Sequence, residues 1–188
     1  MGWREGRASV KRFRHVPIVL FSAALLSGCF QPLYGTGGTG TGRPGVRDAL
    51  SAIEVQQIDA AANTSEAPLA VQIRNDLLFN FTGGGYSAPP THRLKVNING
   101  NRAVVNIDRA TALPNVETYT LKTSYSLTEI ATGKVVVSGN ASTAVSYDTL
   151  GQQRFARLSG MYDAERRAAK VISDNITTRL ASYFFSGS

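Results

Sequence analysis

The only cysteine of the chain, Cys29, follows Leu26, Ser27 and Gly28 near the N-terminus. A cysteine thiol is a nucleophile, and the residues around it decide which reaction it undergoes. Upstream lie a basic run at positions 4–14 and an apolar stretch at positions 16–26, and this order is that of a secretory signal. The apolar stretch has 11 residues. A membrane span takes about 20, so the sequence predicts that residues 1–28 are removed.

The end of this signal resembles a bacterial lipobox, in which the thiol is acylated and its cysteine becomes the first residue of the mature chain. The sequence therefore predicts lipidation at Cys29. Several acyl chains on one terminus give stable attachment to a membrane, whereas a single chain binds only marginally. The alternative is an ordinary secretory signal that ends by chance beside a cysteine.

Three cations are candidates for a binding site. Arg93 and Lys95 alternate with apolar residues in one predicted strand, and Lys122 lies on the polar side of a neighbouring strand. If helices cover the apolar side of the sheet, these cations can form charge-assisted hydrogen bonds with the phosphates of an anionic glycolipid. Arg102 and Arg109 would extend the patch. The alternative is a solvated sheet face that binds nothing.

Other reactive groups are scarce in the mature chain. It keeps one histidine, His92, which we expect at the surface, and no free thiol, so no site for a metal built from histidine and cysteine is expected. The sequence contains no nucleophile elbow, phosphate-binding loop or dinucleotide fingerprint. Asp108 and Asp148 are interpreted as turn and strand-end residues rather than a catalytic pair. We expect no enzymatic activity, no cofactor and no metal.

Most of the excess positive charge lies in the signal. The full sequence has a formal net charge of +7, and the signal holds five basic residues and one acidic residue. The mature chain of 160 residues is therefore only +3, which removes the argument for nucleic-acid binding that a strongly basic chain would invite. Its length is sufficient for one domain with a substantial core.

Periodicity predicts the elements that position the candidate residues. Residues 35–45 form a tether rich in glycine and threonine, so segment 29–48 is predicted to join the lipid to a single domain at residues 49–188. A short strand is predicted between Leu50 and Ile58. A helix follows and ends at three consecutive glycines, as expected from the left-handed helix cap. Its apolar stripe consists of Leu69, Ile73, Leu77 and Phe81.

The second half of the chain alternates between polar and apolar residues, which predicts three antiparallel strands. The apolar phase switches after Gly100, where a bulge or bend is therefore expected. Thr132 and Gly133 mark a hairpin turn, and apolar residues from Phe155 to Tyr183 predict a long final helix. The predicted fold class is α+β, with two helices on one face of a four-stranded, mainly antiparallel sheet in the order strand–helix–strand–strand–strand–helix.

The segment Cys29 to Gly35, which reads Cys-Phe-Gln-Pro-Leu-Tyr-Gly, resembles the start of the LPS-assembly lipoprotein family, LptE. In that family the mature end commonly reads Cys-Gly-Phe before Pro-Leu-Tyr-Gly, and this chain lacks the first glycine. The resemblance implies an outer-membrane lipoprotein that plugs an LptD-type β-barrel, helps it assemble and binds lipopolysaccharide during insertion into the outer leaflet. The residue after the cysteine is Phe30 and not Asp. By the same resemblance, this implies delivery to the outer membrane rather than retention at the inner one.

The resemblance assigns no ligand residues, so contact of the three cations with lipopolysaccharide phosphates or the barrel wall is a hypothesis. Two alternatives belong to other classes of protein. An auxiliary lipoprotein of a lipid-transport ABC system has a similar signal and small α+β domain, and its partner is an inner-membrane or periplasm-spanning assembly. An envelope hydrolase needs a nucleophile and a base, which no motif supplies. The sequence leaves open whether Phe184 and Phe185 belong to the core or to an interface.

Overall fold

A computed structural model describes residues 45–107, 109, 114–149 and 154–186 of the chain. The predicted signal, the lipidation site Cys29, the tether up to residue 44 and Asp108 lie outside the described residues. In chain order, the elements are helix α1 (Val46–Ser51), strand β1 (Ile53–Val55), helix α2 (Glu66–Thr82), strand β2 (His92–Ile107), strand β3 (Pro114–Glu129), strand β4 (Val135–Asp148) and helix α3 (Arg154–Ser186).

The strands form one sheet in the order β1-β2-β3-β4. Strand β1 is parallel to β2, and the other two pairs are antiparallel. Helix α2 packs on β1 and β2, helix α3 packs on β3 and β4, and α1 packs against both of these helices. The predicted α+β class and the helix-covered sheet are confirmed, with three helices rather than two.

Helix α2 follows the predicted stripe. Its four apolar residues at four-residue spacing are all buried in the core against the sheet and α3. The helix ends where Gly83 adopts φ 63°, and the Gly83 N–H donates to the carbonyl of Phe79 over 2.7 Å. A glycine takes this left-handed conformation without the steric cost of a Cβ, so the three-glycine signal located the helix end correctly.

The first predicted strand is longer than the observed one. Strand β1 covers only Ile53–Val55, while Leu50 belongs to α1 and Ile58 is buried in the segment after β1. Helix α1 begins at Val46, inside the segment predicted as tether, and buries Val46 and Leu50 on one side. A helix of 6 residues contains too few turns to give a periodic pattern of apolar residues. For this reason the sequence predicted a tether over the first part of α1 and a strand over its last part.

The bulge expected at Gly100 lies further along β2. Gly100 pairs regularly with Leu121, and the register shifts only after Val104. A Cβ at Gly100 would collide with the hydroxyl of Tyr119, which lies over this position. Glycine in a strand marks either a bulge or a close approach of another group, and here it marks a close approach.

Helix α3 buries mainly small residues in its N-terminal half. Ala164, Ala168 and Ala169 are fully buried, and larger apolar side chains follow towards the C-terminus. Phe155, predicted as the first residue of the apolar stripe, is 83% exposed, and Leu158 and Tyr162 are also exposed. None of the described helices is both long and apolar enough to cross a membrane.

Candidate ligand-binding face

One face of the sheet is covered by α2 and α3, and the other carries no element of the described chain. We call the uncovered side the open face. Strand alternation places polar side chains there, and they are exposed or half-exposed, as a sheet covered on one side requires. On β2 these residues include Arg93, Lys95, Asn97 and Asn99; on β3 they include Thr118, Thr120, Lys122 and Ser124; on β4 they include Ser138, Asn140, Ser142 and Ser146.

Arg93 lies on the open face but its charge has a partner. Its Nε donates to a carboxylate oxygen of Glu54 on the parallel strand β1 over 3.0 Å. The two side chains are 47% and 45% exposed. Water screens such a pair strongly, so it contributes little to stability, yet it offsets much of the field that Arg93 would offer an anion.

Lys95 and Lys122 form no ion pair with any residue that the structure describes. Lys122 pairs with Asn99, four residues further along β2 than Lys95. At about 3.3 Å per residue, this places the two lysines roughly 13 Å apart along the strands. The three predicted cations therefore share a face but do not converge on one phosphate: Arg93 and Lys95 lie together, and Lys122 lies alone.

A shallow trough of about 440 Å³ surrounds Lys122 in the middle of the open face. Its polar side chains are three amides and two hydroxyls besides the ammonium group, namely Asn97, Asn99, Asn140, Ser124 and Ser142. Every polar group here can donate a hydrogen bond, and no carboxylate lines the trough. We call this the Lys122 trough. Its chemistry suits a phosphate or a sugar hydroxyl.

Sequence reasoning missed the contribution of β4 to the Lys122 trough. Asn140 and Ser142 pair with Ser124 and Lys122 across the β3–β4 ladder. The register shifts between Leu127 and Thr128, so counting outward from the turn at residues 132–133 would not give this pairing. The apolar residues at odd positions of β4 nevertheless place Asn140 and Ser142 on its polar side. The signal was therefore present in the sequence, but only the strands β2 and β3 were compared.

Arg102 does not extend the patch, because it lies on the helix-covered side. Its guanidinium donates to Glu165 of α3 over 2.7 Å, and the carboxylate side chain is only 3% exposed. Burial opposes the charge, but the hydrogen bond and the charge of Glu165 prevail and raise the pKa of Arg102. Arg109 is exposed beyond the end of β2.

A second buried carboxylate lies nearby on the same side. Glu117 accepts a hydrogen bond of 2.5 Å from the hydroxyl of Tyr147 and one of 2.8 Å from Arg157. Burial and the bond to Glu117 raise the pKa of Tyr147 to about 12. Glu165 and Glu117 thus both have cationic partners. Among the described residues, no group of three or more histidine, cysteine, aspartate or glutamate side chains could hold a metal ion.

His92 is partly buried rather than at the surface as expected. Its ring meets that of Phe184 edge-on, with centroids 5.2 Å apart. Burial lowers the pKa of His92, against the opposing charge of Glu129. Phe184 therefore packs at the margin of the core, while Phe185 is exposed. Asp148 lies exposed at the end of β4, opposite Val116, as a strand-end residue.

The chain matches no protein-family model and no curated protein sequence. Solved structures with the same fold include a candidate lipoprotein from Caulobacter crescentus, which is 20% identical with a TM-score of 0.60 over 77% of this chain and 98% of the other. The rare lipoprotein B from Shewanella oneidensis is 11% identical with a TM-score of 0.51, over 71% and 98% of the two chains. An uncharacterized lipoprotein B from Nitrosomonas europaea is 11% identical with a TM-score of 0.53, over 80% and 94%. The chain thus has the fold of solved bacterial lipoproteins.

Proposed function

We propose that this protein is a lipid-anchored lipoprotein of the outer membrane that plugs and helps assemble an LptD-type β-barrel. In this proposal it also binds lipopolysaccharide during insertion of the glycolipid into the outer leaflet. The signal that ends at Cys29 supports the lipid anchor, and the fold shared with bacterial lipoproteins supports the class of protein. The observation that carries the ligand is the Lys122 trough, a site of hydrogen-bond donors around an unpaired cation.

The Lys122 trough matches the chemistry of a phosphorylated glycolipid headgroup. The ammonium group of Lys122 can form a charge-assisted hydrogen bond with a phosphate oxygen. The neighbouring amides and hydroxyls can hydrogen-bond to sugar hydroxyls as donors and as acceptors. Lys95 and Arg93, further along the open face, can meet a second phosphate on a ligand long enough to span about 13 Å.

The open face also suits the interior of a barrel. Outer-membrane barrels have a polar lumen, because their strands place apolar side chains towards lipid and polar ones inward. The open face is mainly polar, and no carboxylate lines the Lys122 trough at its centre, so it can lie against such a wall without burying unpaired acidic groups there. The chain then contributes positioning and binding rather than chemistry.

Removing the three open-face cations is expected to weaken lipopolysaccharide binding about tenfold. The change is Arg93→Ala, Lys95→Ala and Lys122→Ala in one chain, and the loss follows from the charge-assisted bonds to phosphate. Equilibrium binding of fluorescently labelled lipopolysaccharide to the full chain measures it. The Lys122→Ala change alone should account for most of the loss, because Arg93 is already paired with Glu54.

The matched control removes three positive charges from the outer side of α3. Arg166, Arg167 and Lys170 are exposed there and form only surface ion pairs. Their triple alanine variant changes net charge equally and is expected to bind lipopolysaccharide as the unchanged chain does. If both triple variants bind alike, the open face is not the lipid site.

A further inference from the structure

The described chain begins next to the C-terminal end of α2. Gly45 is the N-cap of α1, and Arg47 follows in the first turn of that helix. The guanidinium group of Arg47 lies against Gly83, because a Cβ added to this glycine would meet Nη2 of Arg47 at 3.0 Å. The predicted tether, which starts at Cys29, therefore joins the domain where α2 ends.

The segment after α2 runs along α1. It starts at Gly83, beside Arg47, and the N–H of Ala88 donates to the carbonyl of Ser51, the last residue of α1, over 3.1 Å. Tyr86 lies between these two contacts and is fully exposed. Its ring is therefore presented to solvent beside the helix that the tether joins.

Phe79 adds a second exposed ring at this end of the molecule. It lies in the last turn of α2, is 65% exposed, and its Cε2 atom would be 3.2 Å from a Cβ at Gly84. We call Arg47, Phe79 and Tyr86 the tether patch. Asp48, the next residue of α1, is also exposed and offsets the charge of Arg47. The two rings therefore supply most of the attraction that the patch can offer another surface.

We propose that the tether patch lies on the surface of the lipid bilayer that holds the acylated Cys29. Amphipathic aromatic side chains such as that of Tyr86 are enriched at membrane–water interfaces, because the ring is apolar and its polar tip stays in water. The guanidinium group of Arg47 can form charge-assisted hydrogen bonds with lipid phosphates at the same depth. The acyl chains provide the attachment, and the patch sets the orientation of the domain.

The tether keeps the patch close to this surface. Cys29 and Gly45 are 16 residues apart in the sequence, and a glycine-rich chain of that length spans about 22 Å on average. A second site on such a tether meets its target at an effective concentration of roughly millimolar, so weak affinity is sufficient. The contact also fits the proposed plug, because the lipid at Cys29 keeps this end of the domain at the membrane.

A matched pair of exposed aromatic residues lies far from the tether patch. Asn80, next to Phe79, donates to the hydroxyl of Thr177 on α3 over 3.3 Å. Phe155 and Tyr162 are exposed 22 and 15 residues before Thr177 in the same helix. At 1.5 Å per residue, they lie about 33 and 22 Å along α3 from the level of the patch. They share its residue types but not its place beside the tether.

A single tryptophan reports the contact with the bilayer. The only tryptophan of the chain, Trp3, lies in the signal that is predicted to be removed, so the mature Tyr86→Trp and Tyr162→Trp chains each contain one. The lipidated chains are reconstituted in phosphatidylcholine vesicles whose brominated acyl chains quench tryptophan fluorescence on contact. We expect fluorescence at position 86 to be quenched at least about threefold more than at position 162.

Removing the second ring tests the patch itself. In the Tyr86→Trp chain, Phe79→Ser is expected to reduce quenching about twofold or more, because about half of the apolar surface is lost. The matched Phe155→Ser should leave quenching unchanged.

The vesicles contain no barrel and no lipopolysaccharide, so failure of the proposed function would not alter these results. Equal quenching at positions 86 and 162 would overturn the membrane contact, and so would equal effects of the two serine substitutions. Quenching at position 86 that arises only after a β-barrel protein is added would overturn it too, because the patch would then bind protein rather than lipid.

Discussion

Arg102→Ala is expected to lower the free energy of unfolding by about 2–3 kcal/mol at neutral pH. The substitution leaves the carboxylate of Glu165, which is almost fully buried in α3, without its cation. Removing one partner of a buried ion pair costs about 3–5 kcal/mol, because the other charge stays buried. Arg102 itself is 39% exposed, so water can replace part of the interaction, and the loss should fall below that range. Urea denaturation followed by circular dichroism measures it.

The matched control for this prediction is Arg93→Ala. Arg93 and Glu54 form an ion pair of the same residue types at a similar distance, 3.0 Å, but both side chains are about half exposed. Exposed pairs of this kind contribute about 0–1 kcal/mol. The difference between the two variants thus isolates the effect of burial. Equal losses would show that Glu165 is not held in the interior as described.

Tyr119→Phe is expected to protect the protein against alkaline unfolding. Burial, with the charges of Glu165 and Glu66, raises the pKa of Tyr119 to about 12 in the folded state. An unfolded tyrosine ionises near pH 10, so between pH 10 and 12 the unfolded state loses its proton first and stability falls as pH rises. The phenylalanine variant avoids this loss. Its advantage should be about 1.4 kcal/mol at pH 11 and about 2 kcal/mol at pH 12.

At neutral pH the same substitution is expected to change stability by less than about 0.5 kcal/mol. The hydroxyl of Tyr119 is buried, and no hydrogen bond to it is found among the described residues. Removing an unsatisfied polar group carries little cost. The control is Tyr86→Phe, which removes a tyrosine hydroxyl from a fully exposed position. Urea denaturation at pH 8, 9, 10 and 11 gives both curves. A constant offset between Tyr119→Phe and the unchanged chain would contradict the burial of this hydroxyl.

Local patterns in the sequence predicted much of the fold. The stripe of α2 and its glycine end depend on residues within a few positions of one another, and both are confirmed by burial and by φ 63° at Gly83. The alternation in β3 is confirmed in the same way, with Leu121 and Leu127 buried and Lys122 exposed. Periodicity succeeds where one side of an element meets the core over its whole length.

The errors in β2 came from partners distant in sequence. Gly100 was interpreted as a bend, but it gives space to Tyr119 on the next strand. A bend at Gly100 was expected, and Arg102 was expected to extend the cationic patch. Because β2 keeps its register past Gly100, Arg102 instead lies on the helix-covered side, where it pairs with Glu165, 63 residues later. A buried ion pair places a polar residue where the pattern expects an apolar one. Local periodicity contains no information about such a pair.

The candidate site was predicted in part. The open face and its cations follow from strand alternation, and Lys122 lies where that alternation places it. The distance between Lys122 and Lys95 along the strands follows from the register of β2 against β3. The sequence of the segment that joins the two strands does not reveal that register. The alternation of β4 places Asn140 and Ser142 on the polar side, but their pairing with Ser124 and Lys122 depends on a register shift between Leu127 and Thr128 that the sequence does not show. Their place in the Lys122 trough shows that β4 belongs to the site as much as β2 and β3 do.

Capture of the native partner tests the central proposal most directly. A photoreactive residue in place of Ser124, on the open face, and an affinity tag at the C-terminus allow crosslinking in native membranes before purification. The proposal predicts one large outer-membrane β-barrel protein in about equal amounts with this chain. Capture of inner-membrane transporter subunits instead, with no barrel, would contradict it and favour the auxiliary lipoprotein of a lipid-transport ABC system.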